Sequence, residues 1–167
     1  MEIYLLRHGL AVERGTSGYN NDADRPLTDE GERKLQDIAR AMRKMELDFD
    51  LILSSPYTRA RQTAEIVAHG LKARKELEFS DSLTPDGRAR ELIESLNRLR
   101  PKPESVLLVG HEPHLSGLIS LLVSGNRGCQ VEMKKGGLAK LDVDLLTNGS
   151  CAALAWLLTP GQMRLMA

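Results

Sequence analysis

Cysteine is nearly absent from this sequence: among 167 residues only Cys129 and Cys151 carry a thiol. Their spacing fits no metal-ligand pattern, and two thiols do not make a disulfide scaffold, so both are expected to be reduced and structurally ordinary. No apolar run is long enough to span a bilayer, and Met1 leads straight into a strand-like segment without a signal-peptide layout. A cytoplasmic protein with no membrane association is therefore expected. Nor is there an excess of charge of either sign. Lys plus Arg and Asp plus Glu number 23 each, so no global field would recruit nucleic acid or a membrane surface. Any anion site has to be local. Repeats, low-complexity segments and an Asp-rich magnesium site are also missing, and no metal or cofactor is expected. The length fits one domain over residues 1–167 with a single sizeable core. Oligomeric state leaves no mark on the sequence.

What is present is a set of short apolar runs that end abruptly in polar residues. Ile3, Tyr4, Leu5 and Leu6 form the first, and Arg7-His8-Gly9 interrupts it. Such a run suits a strand buried on both faces or a piece of buried helix. In open α/β sheets, ligands bind just beyond the carboxyl ends of the strands. Gly9 permits a tight turn or a close backbone approach there, which lets Arg7 and His8 face a ligand and makes Gly9 itself a candidate substrate contact. An imidazole can attack a phosphoryl group, and a guanidinium can grip phosphate through two parallel hydrogen bonds. Taken alone, the tripeptide equally well ends a core strand with solubilising side chains.

Leu10 to Arg25, with Gly15, Gly18, Asn20, Asn21 and Asp22, reads as a loop across the top of the sheet. Thr28 is a good N-cap for a helix carrying Leu35, Ile38, Ala39, Met42 and Met45 on one face. Its other face, with Lys34, Asp37, Arg40 and Arg43, reads as solvated. Leu51–Leu53 is a second strand ending in Ser54-Ser55-Pro56, and Pro56 can open the next helix, which stops near Gly70. Arg59 lies about one turn beyond that strand end, beside the exposed N–H groups of the helix start, and is a second phosphate-ligand candidate. Arg61 reads as facing water. A weaker strand over Leu77–Phe79 precedes a helix with Leu92, Ile93, Leu96 and Leu99. Ser105–Val109 is the clearest internal strand and delivers Gly110-His111, with Pro113 opening a further helix. The segments Gly136–Val143 and Ala152–Leu158, with an Asn148-Gly149 turn signal between them, predict an antiparallel hairpin. The expected fold is α/β: a three-layer α/β/α arrangement with a mainly parallel central sheet and a C-terminal antiparallel hairpin. Parallel strands point their carboxyl ends the same way, so Arg7, His8, Arg59 and His111 should meet at one rim.

In order along the chain stand Arg7-His8-Gly9, Arg25-Pro26-Leu27-Thr28 with Gly31, Ser55-Pro56-Tyr57-Thr58-Arg59-Ala60 with Gln62-Thr63-Ala64, and Gly110-His111. This set resembles the histidine phosphatase superfamily, to which phosphoglycerate mutases also belong. The short chain, Leu83-Thr84-Pro85-Asp86-Gly87, Gly110-His111-Glu112-Pro113-His114-Leu115 and Lys135-Gly136-Gly137-Leu138-Ala139 are similar to its small phosphohistidine phosphatases. The resemblance runs from Met1 to about Pro160. It implies His8 as the nucleophile of a phosphohistidine intermediate, with Arg7 and Arg59 clamping the phosphoryl oxygens. His111, protonated beside a dianion, would be a further donor. Two arginines and a histidine supply the positive charge without a metal. Larger members place an acid just after a Leu beyond the third strand, where it protonates the leaving alcohol. Here Thr84 and Pro85 follow Leu83, and only Asp81 and Asp86 are near, each also explained by a turn or helix start. A phosphorylated imidazole leaves more readily than an alcohol because it can protonate near neutral pH. The expected substrate is thus a histidine-phosphorylated protein, with a small-molecule phosphomonoesterase or a phosphoprotein-binding module as alternatives. Arg25 either faces the pocket or makes an exposed salt bridge. Lys134 and Lys135 either border the pocket or form a solvated turn. His114 reads as structural or partly exposed, and His69 has no evident partner.

Overall fold

The short apolar runs assemble into one sheet because their alternate side chains enter two separate cores. The computed structural model describes residues 1–167 and contains strands β1 (Glu2–Arg7), β2 (Leu51–Ser54), β3 (Leu77–Phe79), β4 (Ser105–Gly110), β5 (Leu138–Val143) and β6 (Ala152–Leu158). Five helices accompany them: α1 (Asp29–Lys44), α2 (Thr58–Leu71), α3 (Ala89–Arg98), α4 (His114–Ser124) and α5 (Pro160–Leu165). The strand order is β3-β2-β4-β1-β5-β6. The first four are parallel, whereas β5 runs antiparallel to β1 and β6 antiparallel to β5.

Successive side chains on a strand point to opposite faces. Ile3, Leu5, Leu51, Leu53, Val106 and Leu108 therefore pack on one side, against Leu92 and Leu96 of α3 and Leu115, Leu118 and Leu122 of α4. Tyr4, Leu6, Ile52, Leu107 and Val109 pack on the other, against Leu35 and Met42 of α1, Ala60 and Val67 of α2, and Met163 of α5. Full burial of one such aliphatic side chain stabilises by roughly 1.5–3 kcal/mol, so neither layer is dispensable. The result is the expected three-layer α/β/α arrangement.

Register places the strand ends flush. Arg7 pairs with Gly110, the His8 N–H donates to Gly110 O at 3.1 Å, and the Ser55 N–H donates to Val109 O at 2.9 Å. The start of α1 is pressed against this rim. Thr28 caps it as expected, accepting from the Gly31 N–H at 3.0 Å, while the Thr28 N–H donates to Leu10 O at 3.0 Å. A Cβ on Gly31 would lie 2.2 Å from Leu10 O, so only glycine lets the helix come this close.

Several boundaries differ from expectation. Helix α2 begins at Thr58 rather than Pro56, because Ser55 is held to β4 and its Oγ accepts from the Tyr57 N–H at 3.3 Å. The Asn148-Gly149 pair does not close a tight hairpin. It lies in a longer connection, 144–151, that the Cys151 N–H and Ser150 Oγ fasten to Leu122 O and Val123 O of α4 at 2.8 and 2.9 Å. Helix α5 was not anticipated; Thr159 and Gln162 form a capping box at its start. Both cysteines are free, and no helix is long and apolar enough to cross a membrane.

Candidate active site

The same alternation that divides the cores separates Arg7 from His8. Arg7 turns towards the α3/α4 side, where its Nη1 donates to Met133 O at 2.6 Å. His8 turns towards α2 and is 6% exposed. Its Nδ1 lies 2.8 Å from Gly9 O, and Arg59 Nε donates to its Nε2 at 3.3 Å. These two contacts select a tautomer: Nδ1 carries the proton towards the carbonyl, and Nε2 offers its lone pair. Burial holds His8 neutral, with its pKa pushed down to about 2, the Gly9 carbonyl opposing the shift and the charges of His111, Arg59 and Arg7 adding to it.

Gly9 is fixed on both sides. A Cβ there would meet Leu35 Cδ1 at 2.6 Å, and its N–H donates to Thr63 Oγ1 at 3.1 Å. Thr63 Oγ1 in turn donates to Arg59 O at 2.7 Å, so one hydroxyl ties the Gly9 turn to α2. Gly9 was expected to contact a substrate. Instead, both of its polar groups are engaged within the protein, and it positions His8.

His111 is 1% exposed and stands beside His8, with ring centroids 5.0 Å apart. Its Nε2 is 2.9 Å from Ser55 Oγ, while its Nδ1 is buried without a partner, as is Arg7 Nε. Burial, reinforced by the charge of Arg59, lowers its pKa to about 3. The free protein therefore holds His111 neutral, whereas the protonated form was expected only beside a bound dianion. Tyr57 covers this corner, its ring 5.3 Å from that of His111 and 5.4 Å from the Arg59 guanidinium carbon.

Arg59 is 2% exposed, and all of its nitrogens are engaged. Besides the contact to His8, Nη1 donates to Asp22 O at 2.7 Å and Nη2 to Asp22 Oδ2 at 2.9 Å. Asp22 Oδ1 also accepts from Arg25 Nε and Nη2 at 3.0 and 2.8 Å and from Arg14 Nε at 2.9 Å. Partial burial works against ionisation of Asp22, but Arg25, Arg59 and Arg14 outweigh it and hold its pKa at about 2. It is a carboxylate at neutral pH.

The structure thus brings Arg7, His8, Arg59 and His111 to one rim, and Arg25 joins them through Asp22. Arg25 makes a salt bridge, as one alternative held, but a largely buried one. A crevice of roughly 430 Å³ beside the Asp22 cluster is lined by Arg14, Tyr19, Asp22, Arg25, Tyr57 and Asp86. Asp86 is exposed at this mouth, whereas Asp81 is exposed outside it. Lys134 and Lys135 line a separate crevice of about 560 Å³ together with Arg7 and Lys34, the latter a residue first read as merely solvated. His114 is buried with neither ring nitrogen partnered, and His69 meets Arg74 Nη2 at 3.0 Å. No cluster of three or more His, Cys, Asp or Glu suited to a metal ion is present.

Sequence reading missed Asp22, Ser55, Thr63 and Tyr57 as parts of the site. Ser55, Tyr57 and Thr63 could have been found from their places within one turn of Arg59, whereas Asp22 had no such signal.

The model of the histidine phosphatase superfamily, branch 1, matches residues 3–84. A phosphohistidine phosphatase SixA homologue of Haemophilus influenzae is 31% identical, with 73% of this chain and 77% of that protein covered. An uncharacterized protein of Picosynechococcus sp. PCC 7002 is 37% identical over 84% of each chain. Among solved structures, the protein histidine phosphatase SixA complexed with tungstate superposes with a TM-score of 0.83 at 25% identity, covering 96% of this chain and 98% of that one. Flush strand ends, a buried imidazole with an unprotonated Nε2 and these relatives lead to one assignment: the chain belongs to the histidine phosphatase superfamily and is a hydrolase of the histidine-nucleophile phosphatase class.

Proposed function

We propose that this protein hydrolyses phosphohistidine on a partner protein through a phospho-His8 intermediate. The Nε2 lone pair of His8 attacks phosphorus in line, and the bond from phosphorus to the substrate imidazole breaks, its electron pair passing to that nitrogen. Water then attacks phospho-His8 and releases inorganic phosphate. Gly9 O fixes the reacting tautomer throughout. Arg7, Arg59 and His111 supply donors to the phosphoryl oxygens, where charge spreads in the transition state. Losing one well-placed donor of this kind typically costs about 3 kcal/mol, a hundredfold or more in rate.

One observation carries the choice of leaving group. Asp22, the carboxylate bonded to the guanidiniums of this pocket, is ionised and has no proton to give an alcohol. General acid catalysis is worth roughly 10²–10⁴ with a poor leaving group. An imidazole that already carries a proton on its second nitrogen departs without that help. The likeness to the H. influenzae phosphohistidine phosphatase homologue and to the protein histidine phosphatase bound to tungstate supports the same reading. A histidine-phosphorylated phosphotransfer protein is the partner class that fits.

The test is turnover of a phosphohistidine protein, a phosphoramidate and a set of sugar phosphates, together with acid-labile, alkali-stable ³²P labelling. The P–N substrates should be preferred, and label should be lost in His8→Ala. Preference for sugar phosphates would refute the substrate assignment, and labelling that survives in His8→Ala would refute the nucleophile.

A further inference from the structure

We propose that the Asp22 carboxylate is a built-in competitor for the phosphoryl group, engaging the same Arg59 and Arg25 guanidiniums that substrate oxygens need on binding. The inference rests on the reading of Arg59 as a phosphate ligand. Three guanidiniums converge on this one side chain: Arg59 Nη2 at 2.9 Å, Arg25 Nη2 at 2.8 Å and Arg14 Nε at 2.9 Å. Two are poorly accessible, with side-chain exposures of 3% for Arg59 and 12% for Arg25, whereas Asp22 retains 30%. A single ion pair would suffice to brace a surface loop. Here the carboxylate presents two anionic oxygens to the cations beside the nucleophile, as a phosphoryl group would.

Three of the five N–H groups of Arg59 are engaged, one on each nitrogen. Its Nε faces His8 Nε2, its Nη1 faces the Asp22 carbonyl and its Nη2 faces the Asp22 carboxylate. A phosphoryl group in line with His8 has to share this guanidinium with the Asp22 carboxylate or displace one of its partners. The carbonyl is held by the chain: the Asp22–Asp24 turn is capped by Asn21, and its flank is tied down by the Val12 N–H to Pro26 O at 2.9 Å. The carboxylate can swing into solvent by rotation about its own side-chain bonds. Two anions sharing one guanidinium also repel each other, which favours that exit.

Such a competitor sets a threshold. An anion with few other contacts, such as the product inorganic phosphate, displaces Asp22 poorly, whereas a phosphoryl group anchored by the rest of its substrate succeeds. After hydrolysis, the returning carboxylate helps to expel phosphate. Removing the charge should therefore strengthen product binding, the reverse of what loss of a supporting residue would do.

Asp22→Asn tests this, because it keeps the shape and leaves the main-chain carbonyl on Arg59. Calorimetric titration with inorganic phosphate and with tungstate should give a Kd at least tenfold lower for Asp22→Asn than for the parent, and a lower Ki for phosphate as product inhibitor. Asp22→Ala, checked for an unchanged fold by thermal melting, should shift in the same direction. Equal or weaker oxyanion binding in both folded variants overturns the proposal and makes Asp22 a brace for Arg59. Failure of the parent and both variants to bind either oxyanion would overturn the phosphate-site reading and this inference with it.

Discussion

At the level of single residues, the pocket depends on hydroxyls that touch no substrate. Ser55 Oγ is the partner of His111 Nε2. Ser55→Ala leaves that buried nitrogen unpaired, a loss of about 1–3 kcal/mol. The kcat/KM should fall roughly ten- to hundredfold at 1.4 kcal/mol per decade, with the melting temperature as control. Thr63 joins the Gly9 N–H to Arg59 O. Thr63→Val keeps the shape and orphans the buried Gly9 N–H; thermal melting should show a decrease of about 2–12 °C, from 1–3 kcal/mol in a domain of this size. The proposed reactive groups were legible in the sequence because Arg7, His8 and His111 stand where an apolar run breaks off and Arg59 lies about one turn beyond another. Their orienting partners were less so. Asp22 sits among asparagines and glycines, where an aspartate ordinarily serves a turn, and its pairing with Arg59 exists only once a loop and a helix far apart in the chain have docked. Burial likewise determines that His111 is neutral in the free protein, which no residue pattern reveals.

Among the elements, α1 does the most to shape the rim. Gly31→Ala would drive a methyl against Leu10 O and force the start of the helix away from the turn that carries His8. Activity should drop far more than the folded fraction at assay temperature, measured by circular dichroism on the same sample. Thr28→Ala removes the N-cap, and the expected cost of about 1 kcal/mol should lower the melting temperature by roughly 2–4 °C. The central parallel strands were legible because burial on both faces leaves a continuous apolar run, and the longer helices because period-3.6 burial writes itself into apolar spacing. Short elements were not. Helix α5 is a single capped run of six residues, and the Asn148-Gly149 signal was overridden by hydrogen bonds to α4 that local sequence does not encode.

For the molecule as a whole, buried imidazoles govern the response to acid. His8 and His111 are depressed from 6.5 to about 2 and about 3, and burial lowers His114 as well. As pH falls below 6.5, the unfolded chain binds protons that the folded protein refuses, so stability rises with pH across that window and is lost progressively towards pH 3. Asp22 adds to the trend: its depressed pKa stabilises above 3.8, and that contribution is lost as pH approaches 2. Urea midpoints measured from about pH 7.5 down to pH 4 should decline steadily, and less steeply in His114→Leu, which lacks one of the three groups. A flat profile would contradict the neutral imidazoles.

Arg7 and His8 are neighbours in the chain yet belong to different halves of the structure, one leaning on the loop at Met133 and the other on α2. The reaction centre is consequently a seam, and its alignment reports on both sides simultaneously. Slight slackening of either half would part nucleophile from clamp long before the sheet gives way, so catalysis should die on warming ahead of any change in helical signal.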